Sequence, residues 1–179
     1  DRRVQMGNQR RSYAMVREAM QRLEEGVIGK RTYGRSFYNN KRTAIGQGDQ
    51  KPAAHVDLDL WQGPAPLRDD VSKYVHYDWH WLWHWGGGEL ANNGPHGLDI
   101  VRWGLGAEYP VKVTCNGGRY HYDDTQETPD TIAAAYDFGT SGALWDGSSC
   151  HPRPQDKSAF VTIYGEGGSL VIGSRDDYT

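Results

Sequence analysis

The stretch HYDWHWLWHWGGGELANNGPHGLDIVRWGL, residues 76–105, holds the rarest residue types of the chain. Five of the seven Trp and four of the seven His lie inside it, among 179 residues in total. Three consecutive glycines divide it, and Gly94-Pro95 follows them; Pro suits the first position of a helix. We therefore predict a helix over residues 94–103, and we expect this stretch to line a ligand site that the rest of the chain supports.

Before the glycines, aromatic residues occupy every second position, which predicts a strand with its rings on one face. Those positions are Tyr77, Trp79, Trp81, Trp83 and Trp85. The Trp residues are either core or a platform for the apolar faces of sugar rings, and Trp81 and Trp83 are the candidates for substrate binding.

Histidines recur every fourth residue in the same segment, at His76, His80 and His84. On a helix three such side chains would lie together and would suit zinc. On the predicted strand, neighbouring members of the set are about 13 Å apart, too far for one ion. We therefore predict no metal site.

The overall composition is that of one globular domain. Hydrophobic residues are 37% of the chain and the mean hydropathy is −0.79, but 12% aromatic residues supply large apolar area. The net charge of −3, without a basic run, gives no reason to expect nucleic acid, and no apolar segment is long enough for a membrane span. Cys115 and Cys150 lack metal-ligand spacing, and we expect free thiols.

Outward from residues 76–105, apolar spacing predicts a helix over residues 12–25, capped by Ser12 and stopped by Gly26. Residues 4–6 read as the end of a strand, and residues 39–73 as an ordered surface loop. Strands are predicted at residues 31–38, 111–115, 131–138, 143–148, 160–164 and 169–172. A hairpin turn at residues 165–168 joins the last two. This order predicts an α+β domain with an open, mostly antiparallel sheet and helices on one face.

His96 is the sharpest catalytic candidate, because it falls in the first turn of the predicted helix beside Asn92 and Asn93. The helix dipole disfavours an imidazolium there, and a neutral imidazole is what a proton acceptor needs. The alternative is a capping or buried, hydrogen-bonded histidine. Asp99, one turn along, would orient His96, contact substrate or bond a neighbouring loop.

Residues 119–130 concentrate charged groups. They are Arg119, His121, Asp123, Asp124, Glu127 and Asp130. Paired carboxylates suit acid–base work or a cation, whereas loop acids usually make turn hydrogen bonds; both readings stay open.

No dinucleotide-binding half is visible, because residues 86–88 lack both the GxGxxG spacing after a first strand and the Lys-Ser/Thr of a phosphate loop. The chain begins at Asp1 without Met. We expect residues 1–179 to be one substrate-binding and oligomerisation domain of a longer protein.

Residues 86–106, GGGELANNGPHGLDIVRWGLG, resemble the glucose–fructose oxidoreductase/inositol dehydrogenase (Gfo/Idh/MocA) family. Its members carry a Gly-rich turn, then Asp-x-x-x-His-x-x-Asp and a helix ending in Trp or Leu, and Asn92, His96 and Asp99 fall on those positions. The opening QMGNQRRSYAMVREAMQRLEEGVIGK and the closing IYGEGGSLVIG are also similar to family segments. The resemblance covers nearly the whole chain.

The resemblance implies an N-terminal Rossmann domain that binds NAD or NADP and carries the family's catalytic Lys, both before Asp1. It also implies a C-terminal domain that supplies the substrate pocket and associates through the open face of its sheet. His96 would exchange the proton of a sugar hydroxyl. Asn92 replaces the usual Asp, and an amide hydrogen-bonds a hydroxyl without accepting its proton; Asn93 would help to orient the substrate.

The resulting hypothesis is the substrate-binding domain of an NAD(P)-dependent oxidoreductase of sugars, polyols or glycosides, inactive and without cofactor on its own. Redox-assisted glycoside hydrolysis is open within it. The alternative is a non-catalytic carbohydrate-binding or dimerisation module that uses the Trp row. The compartment, cytoplasmic or exported, is not predicted.

Overall fold

A six-stranded sheet forms the centre of the protein in the computed structural model, which describes residues 2–46, 51–150 and 158–179. The strands are β1 (Arg31–Asn39), β2 (Lys112–Gly118), β3 (Thr131–Asp137), β4 (Gly142–Ser148), β5 (Val161–Gly165) and β6 (Gly168–Ile172). Their order is β2-β3-β4-β1-β5-β6. β1 and β4 run parallel, and the other neighbouring pairs are antiparallel.

Four α-helices accompany the sheet in the described residues: α1 (Ala14–Glu24), α2 (Leu58–Gln62), α3 (Gly88–Asn92) and α4 (Gly94–Leu105). Short 3₁₀ helices occupy Gln9–Ser12, Val71–Lys73 and Asp78–Trp81. α1 and α4 pack on the same face of the sheet. The α+β prediction, with an open and mostly antiparallel sheet, is confirmed.

The core lies between these two helices and strands β4, β5 and β6. α1 buries Val16, Ala19, Met20 and Leu23, the three- and four-residue spacing of one helix face. Each large aliphatic side chain removed from water in this way contributes roughly 1.5–3 kcal/mol. α4 approaches β1 closely at Gly97, where an added Cβ would lie 2.9 Å from the Cβ of Ser36. That contact fixes the first turn of α4 over the carboxyl end of β1.

The start of α1 differs from the prediction. Ser12 belongs to the preceding 3₁₀ helix and makes no cap, and α1 begins at Ala14. Asp176, from the far end of the chain, accepts hydrogen bonds from the amides of Ala14 at 3.1 Å and Met15 at 2.8 Å. A carboxylate at this position satisfies the otherwise unpaired amides and the helix dipole. The spacing of the residues around the start of α1 does not indicate a cap, because the capping residue lies more than 160 positions away in the sequence.

Two predicted strands are wrong. Residues 4–6 form none, and Val4 is 94% exposed. Residues 76–85 form turns around Asp78–Trp81, because the backbone is satisfied locally: Trp79 N donates to Tyr74 O, and Gly86 N to Leu82 O. His76 has a φ of 84°, which interrupts an extended chain.

The remaining expectations are met where they can be judged. The later strands lie within one residue of their predicted bounds, except that β2 ends three residues beyond its predicted end, and the Gly165–Gly168 hairpin is present. Described parts of the 39–73 connection include α2 and bury the side chains of Ile45 and Val71; residues 47–50 lie outside the description. Cys115 and Cys150 are free.

Candidate functional site

The candidate site lies where α3 meets α4. α3 ends at Asn92, Asn93 breaks the helix, and α4 starts at Gly94 with Pro95 in its first turn. An added Cβ on Gly94 would lie 3.7 Å from the Trp145 ring of β4. The junction therefore sits above the carboxyl ends of the parallel strands β1 and β4, and it brings Asn92, Asn93 and His96 together.

His96 is the third residue of α4 and is partly exposed. Among the described residues none hydrogen-bonds to its imidazole. Its role, as a proton acceptor or as a capping residue, stays a prediction. The ring does not line the cavity beside it, which is lined at this end by Asn92.

That cavity has a volume of about 270 Å³ and runs from Asn92 and Ala91 along the three glycines to Trp79 and Trp85. Its floor depends on Gly88, which has a φ of 67° and whose added Cβ would lie 2.6 Å from Thr128 Oγ1. A larger residue there would be strained and would push the floor away from the loop that carries Thr128.

A buried carboxyl next to the junction was missed by sequence reasoning. Glu89 is 2% exposed, and its carboxylate accepts a hydrogen bond from the Asn93 amide. Burial raises the pKa of Glu89, against smaller opposing effects of the Asn93 hydrogen bond and the charge of Arg42. Burial and then the charge of Glu89 raise the pKa of Tyr38, near the end of β1. Asn93 is thus engaged by Glu89; its role toward substrate stays a prediction. The sequence signal that could have indicated Glu89 is its position directly after three glycines, in the first turn of a helix.

Arg42 and Asp124 form a buried ion pair of 2.9 Å beneath the aromatic stretch, with side chains 4% and 0% exposed. Burial alone would raise the pKa of Asp124, but hydrogen bonds from the amides of Ile45 and Gln126 and from Arg42 lower it overall. The Arg42 guanidinium lies 5.2 Å from the Trp81 ring centroid and 4.5 Å from that of Tyr122.

The other acids of residues 119–130 also hold structure. Asp130 accepts from the amides of Tyr120 and His121, and Glu127 accepts from the amide of Trp83 at 2.9 Å. These bonds join residues 9 to 44 positions apart, so they connect separate segments and are not turn hydrogen bonds. The described residues include no group of three or more His, Cys, Asp or Glu that could hold a metal ion.

The two predicted Trp contacts are separated. Trp81 is 1% exposed, and its carbonyl accepts from the amides of Glu127 and Thr128. Trp83 is 61% exposed. Neither lines the cavity that Asn92 lines, whose described tryptophans are Trp79 and Trp85. Trp61 lines a second cavity together with the same two tryptophans. Trp61 comes from α2, outside the conspicuous stretch, and no periodicity marks it.

Asp99 lies on α4 one turn after His96, and Arg11 holds both of its oxygens. The interpretation that it bonds a neighbouring segment is therefore met. A direct contact with substrate stays a prediction.

Comparison with protein families decides the relationship of the chain. Residues 16–171 match the model described as the GFO/IDH/MocA C-terminal domain. The chain belongs to this family. The family assignment agrees with the resemblance carried by residues 86–106. A search of curated proteins found no match.

Solved structures share the fold of this GFO/IDH/MocA domain. Aldose-aldose oxidoreductase from Caulobacter crescentus, complexed with glycerol, is 19% identical with a TM-score of 0.66, over 99% of this chain and 43% of that one. The WlbA dehydrogenase from Bordetella pertussis, in complex with NADH and UDP-GlcNAcA, is 19% identical with a TM-score of 0.61, over 92% and 41%. Its Chromobacterium violaceum counterpart, with the same two ligands, is 16% identical with a TM-score of 0.60, over 92% and 39%.

The chain thus spans less than half the length of these proteins, and at such identities the likeness establishes the fold alone. The described residues of this GFO/IDH/MocA domain form no Rossmann unit. They also contain no helix of the length and apolarity that crossing a membrane requires.

Proposed function

We propose that this chain is the substrate-binding domain of an NAD(P)-dependent oxidoreductase that acts on a hydroxyl of a sugar, polyol or glycoside. The observation that supports the proposal is the partly exposed His96 in the first turn of α4, four residues after Asn92, in a domain of the GFO/IDH/MocA family. The neighbours crystallised with NADH or with polyol are consistent with it.

Oxidation of the substrate removes a proton from the carbinol hydroxyl and a hydride from the carbon that bears it, and it leaves a carbonyl group. When bound, the nicotinamide supplies the acceptor for the hydride, and a nucleotide domain outside the described fold would hold it. His96 takes the hydroxyl proton, since its ring has no other hydrogen-bond partner among the described residues. The Asn92 amide orients the hydroxyl but cannot take its proton. Proton transfer therefore depends on His96 more than in a site with Asp at position 92.

The test uses the longer protein in which this domain follows a nucleotide-binding domain. Calorimetry should detect binding of NAD or NADP, and a panel of sugars and polyols should give nicotinamide reduction at 340 nm. The isolated chain should give none. Failure of the longer protein to bind either nucleotide would remove the enzyme proposal.

A non-catalytic carbohydrate-binding module is the second candidate. The aromatic lining of the cavities beside Asn92 favours it, because aromatic rings pack on sugar faces. It predicts sugar affinity without nicotinamide reduction in the longer protein, and affinity unaffected by His96→Ala.

Self-association through the open face of the sheet belongs to the same proposal. This face, opposite α1 and α4, carries Tyr33 and Tyr164, which are 38% and 39% exposed with ring centroids 6.1 Å apart. Arg35 and Asp146 lie 3.8 Å apart on the same face. Aromatic rings beside a charge pair are typical of surfaces that bind a second copy.

A further inference from the structure

Two cavities share the tryptophans Trp79 and Trp85 in their lining, and Asn92 lines one of them. The inner cavity is the one of about 270 Å³ that reaches from Asn92 to Trp79 and Trp85. The outer cavity, about 380 Å³, continues from the same two tryptophans to Trp61 and His84. Together they fall within the roughly 300–1,000 Å³ of small-molecule sites. We call this surface, from Asn92 past Trp79 and Trp85 to Trp61, the aromatic cleft.

The walls of the aromatic cleft are indole rings. Trp61 meets Trp79 edge to face at 6.3 Å between ring centroids, and it meets Trp85 at 5.7 Å. His80 stacks on Trp79 at 3.9 Å between ring centroids, and Trp79 lines both cavities. All three tryptophans are partly exposed. Clustered, partly exposed rings of this size favour a ligand that covers them.

The cleft is held in place before any ligand arrives. Asp57 caps α2 by accepting from the amides of Asp59 and Leu60 at 3.1 Å, and α2 carries Trp61. The Arg68 guanidinium lies 5.2 Å from the Trp85 ring centroid and is paired with Asp70 through two hydrogen bonds. A wall fixed in this way loses little freedom on binding.

The described residues of the lining carry no formal charge. Among the described residues that line the two cavities, none is Asp, Glu, Lys or Arg. His80 donates a ring N–H hydrogen bond to the Tyr77 carbonyl, and His84 donates one to the Pro66 carbonyl. These two N–H groups are therefore already hydrogen-bonded to the backbone. A phosphate or carboxylate in this cleft would lose hydration without gaining a cation. The lining therefore suits an uncharged ligand.

We propose that the aromatic cleft binds a second, uncharged sugar ring, joined by a glycosidic bond to the ring that reacts beside Asn92. A pyranose ring has apolar faces whose C–H groups are slightly positive and pack against the negative face of an indole, while its hydroxyls stay at the edge. The natural substrate is then a neutral glycoside of two or more rings and not a free monosaccharide. The proposal rests on the proposed function for the identity of the reacting ring.

Binding to the chain itself gives the first test, by calorimetry with glucose, cellobiose, maltose and glucose 1-phosphate as probes. At least one disaccharide should bind about tenfold or more tighter than glucose, a difference of about 1.4 kcal/mol. Glucose 1-phosphate should bind no better than glucose. Equal affinity for glucose and both disaccharides, or tightest binding of the phosphate, would overturn the proposal.

Variants test whether the tighter binding of a disaccharide than of glucose depends on the aromatic cleft. Trp61→Ala and Ala65→Glu, which removes no ring but places a carboxylate in the outer cavity, should both bring disaccharide affinity to within about threefold of glucose. Tyr120→Ala removes an aromatic side chain that is 72% exposed and lies outside the cleft, and it should change neither affinity. Thermal unfolding of each variant checks that the fold is kept. Equal losses in Tyr120→Ala and Trp61→Ala would contradict the assignment.

Kinetics of the longer protein separate this proposal from the proposed function. Turnover of glucose and disaccharides with equal kcat/KM, unchanged by Ala65→Glu, would remove the second-ring site and leave the oxidoreductase intact. Disaccharide binding that depends on Trp61, in a protein that binds no nicotinamide nucleotide, would remove the oxidoreductase and leave the cleft as a sugar site.

Discussion

Arg11 and Asp99 form a two-pronged ion pair in which Nε donates to Oδ2 at 2.8 Å and Nη2 donates to Oδ1 at 2.7 Å. The guanidinium also lies 4.7 Å from the ring centroid of Trp103. The two charged residues are 88 positions apart, so the pair ties the segment before α1 to α4. It holds the helix that carries His96.

Asp99→Asn should have a small effect on stability. The Arg11 side chain is 45% exposed, and water already screens such pairs, so we expect a loss below about 1 kcal/mol in urea unfolding. If Asp99 contacts substrate as well, Asp99→Asn should reduce the free energy of sugar binding in calorimetry by more than it reduces the free energy of unfolding. Unchanged affinity would assign Asp99 to structure alone.

Asp124→Asn should be far more damaging, by about 3–5 kcal/mol, because it leaves the buried Arg42 without its partner. Asp123→Asn, at the exposed neighbouring position, is the matched control and should change the free energy of unfolding little. Similar losses in the two variants would refute the role given to the buried pair.

The pH dependence of the Arg42–Asp124 pair has a defined sign. Because the folded protein lowers the pKa of Asp124, its contribution is present above the ordinary Asp pKa and is lost as the pH falls through the lowered value. Urea unfolding between pH 2 and 6 should show a steeper acid loss in wild type than in Asp124→Asn.

Glu89→Gln should act in the opposite direction. Burial raises the pKa of Glu89, so the unfolded chain gives up the proton first as the pH rises above the ordinary value of about 4.3. The contribution of this group is full below that value and declines until the pH passes the raised pKa. Relative to wild type, the variant should therefore gain stability between pH 4 and pH 7 in urea unfolding. A variant that loses stability over this interval would show that the carboxylate is stabilised by its surroundings.

Gly97→Ala tests the contact that places the first turn of α4. The added methyl meets the side chain of Ser36, and overpacking of this kind costs about 1–3 kcal/mol. Ser36→Gly should recover part of the loss, seen as a favourable coupling energy in a double-mutant cycle. Gly7→Ala, with nothing within 4 Å of the added Cβ, is the control. If the losses of unfolding free energy in Gly97→Ala and Ser36→Gly simply add, the added methyl does not clash with Ser36.

The sequence predicted this fold well where structure is local. α4 follows from Gly94-Pro95 and its apolar spacing, and the hairpin between β5 and β6 follows from its glycines. The α1 cap by Asp176 could not be predicted, because it joins distant segments. The aromatic stretch alternates like a strand, yet its backbone closes local turns while Trp81 packs inward and Trp83 outward.

In the candidate site, too, local features could be predicted from the sequence and contacts between distant segments could not. Asn92 and His96 are recognisable from spacing, because both belong to one helical junction. The cleft wall at Trp61 depends on α2 packing against a segment about twenty residues later, which no periodicity reveals. Trp81 and Trp83 were conspicuous only through their place in the row. Their predicted contact with substrate has no support from the cavities of the described residues.

The proton acceptor is the centre of this account, and His96→Gln in the longer protein tests it most directly. With the sugar that wild type oxidises best, the variant should bind NAD(P) and sugar with unchanged affinity, while kcat for nicotinamide reduction falls by about 10²-fold or more. A variant that keeps wild-type kcat across pH 6–9 would contradict the assignment of His96.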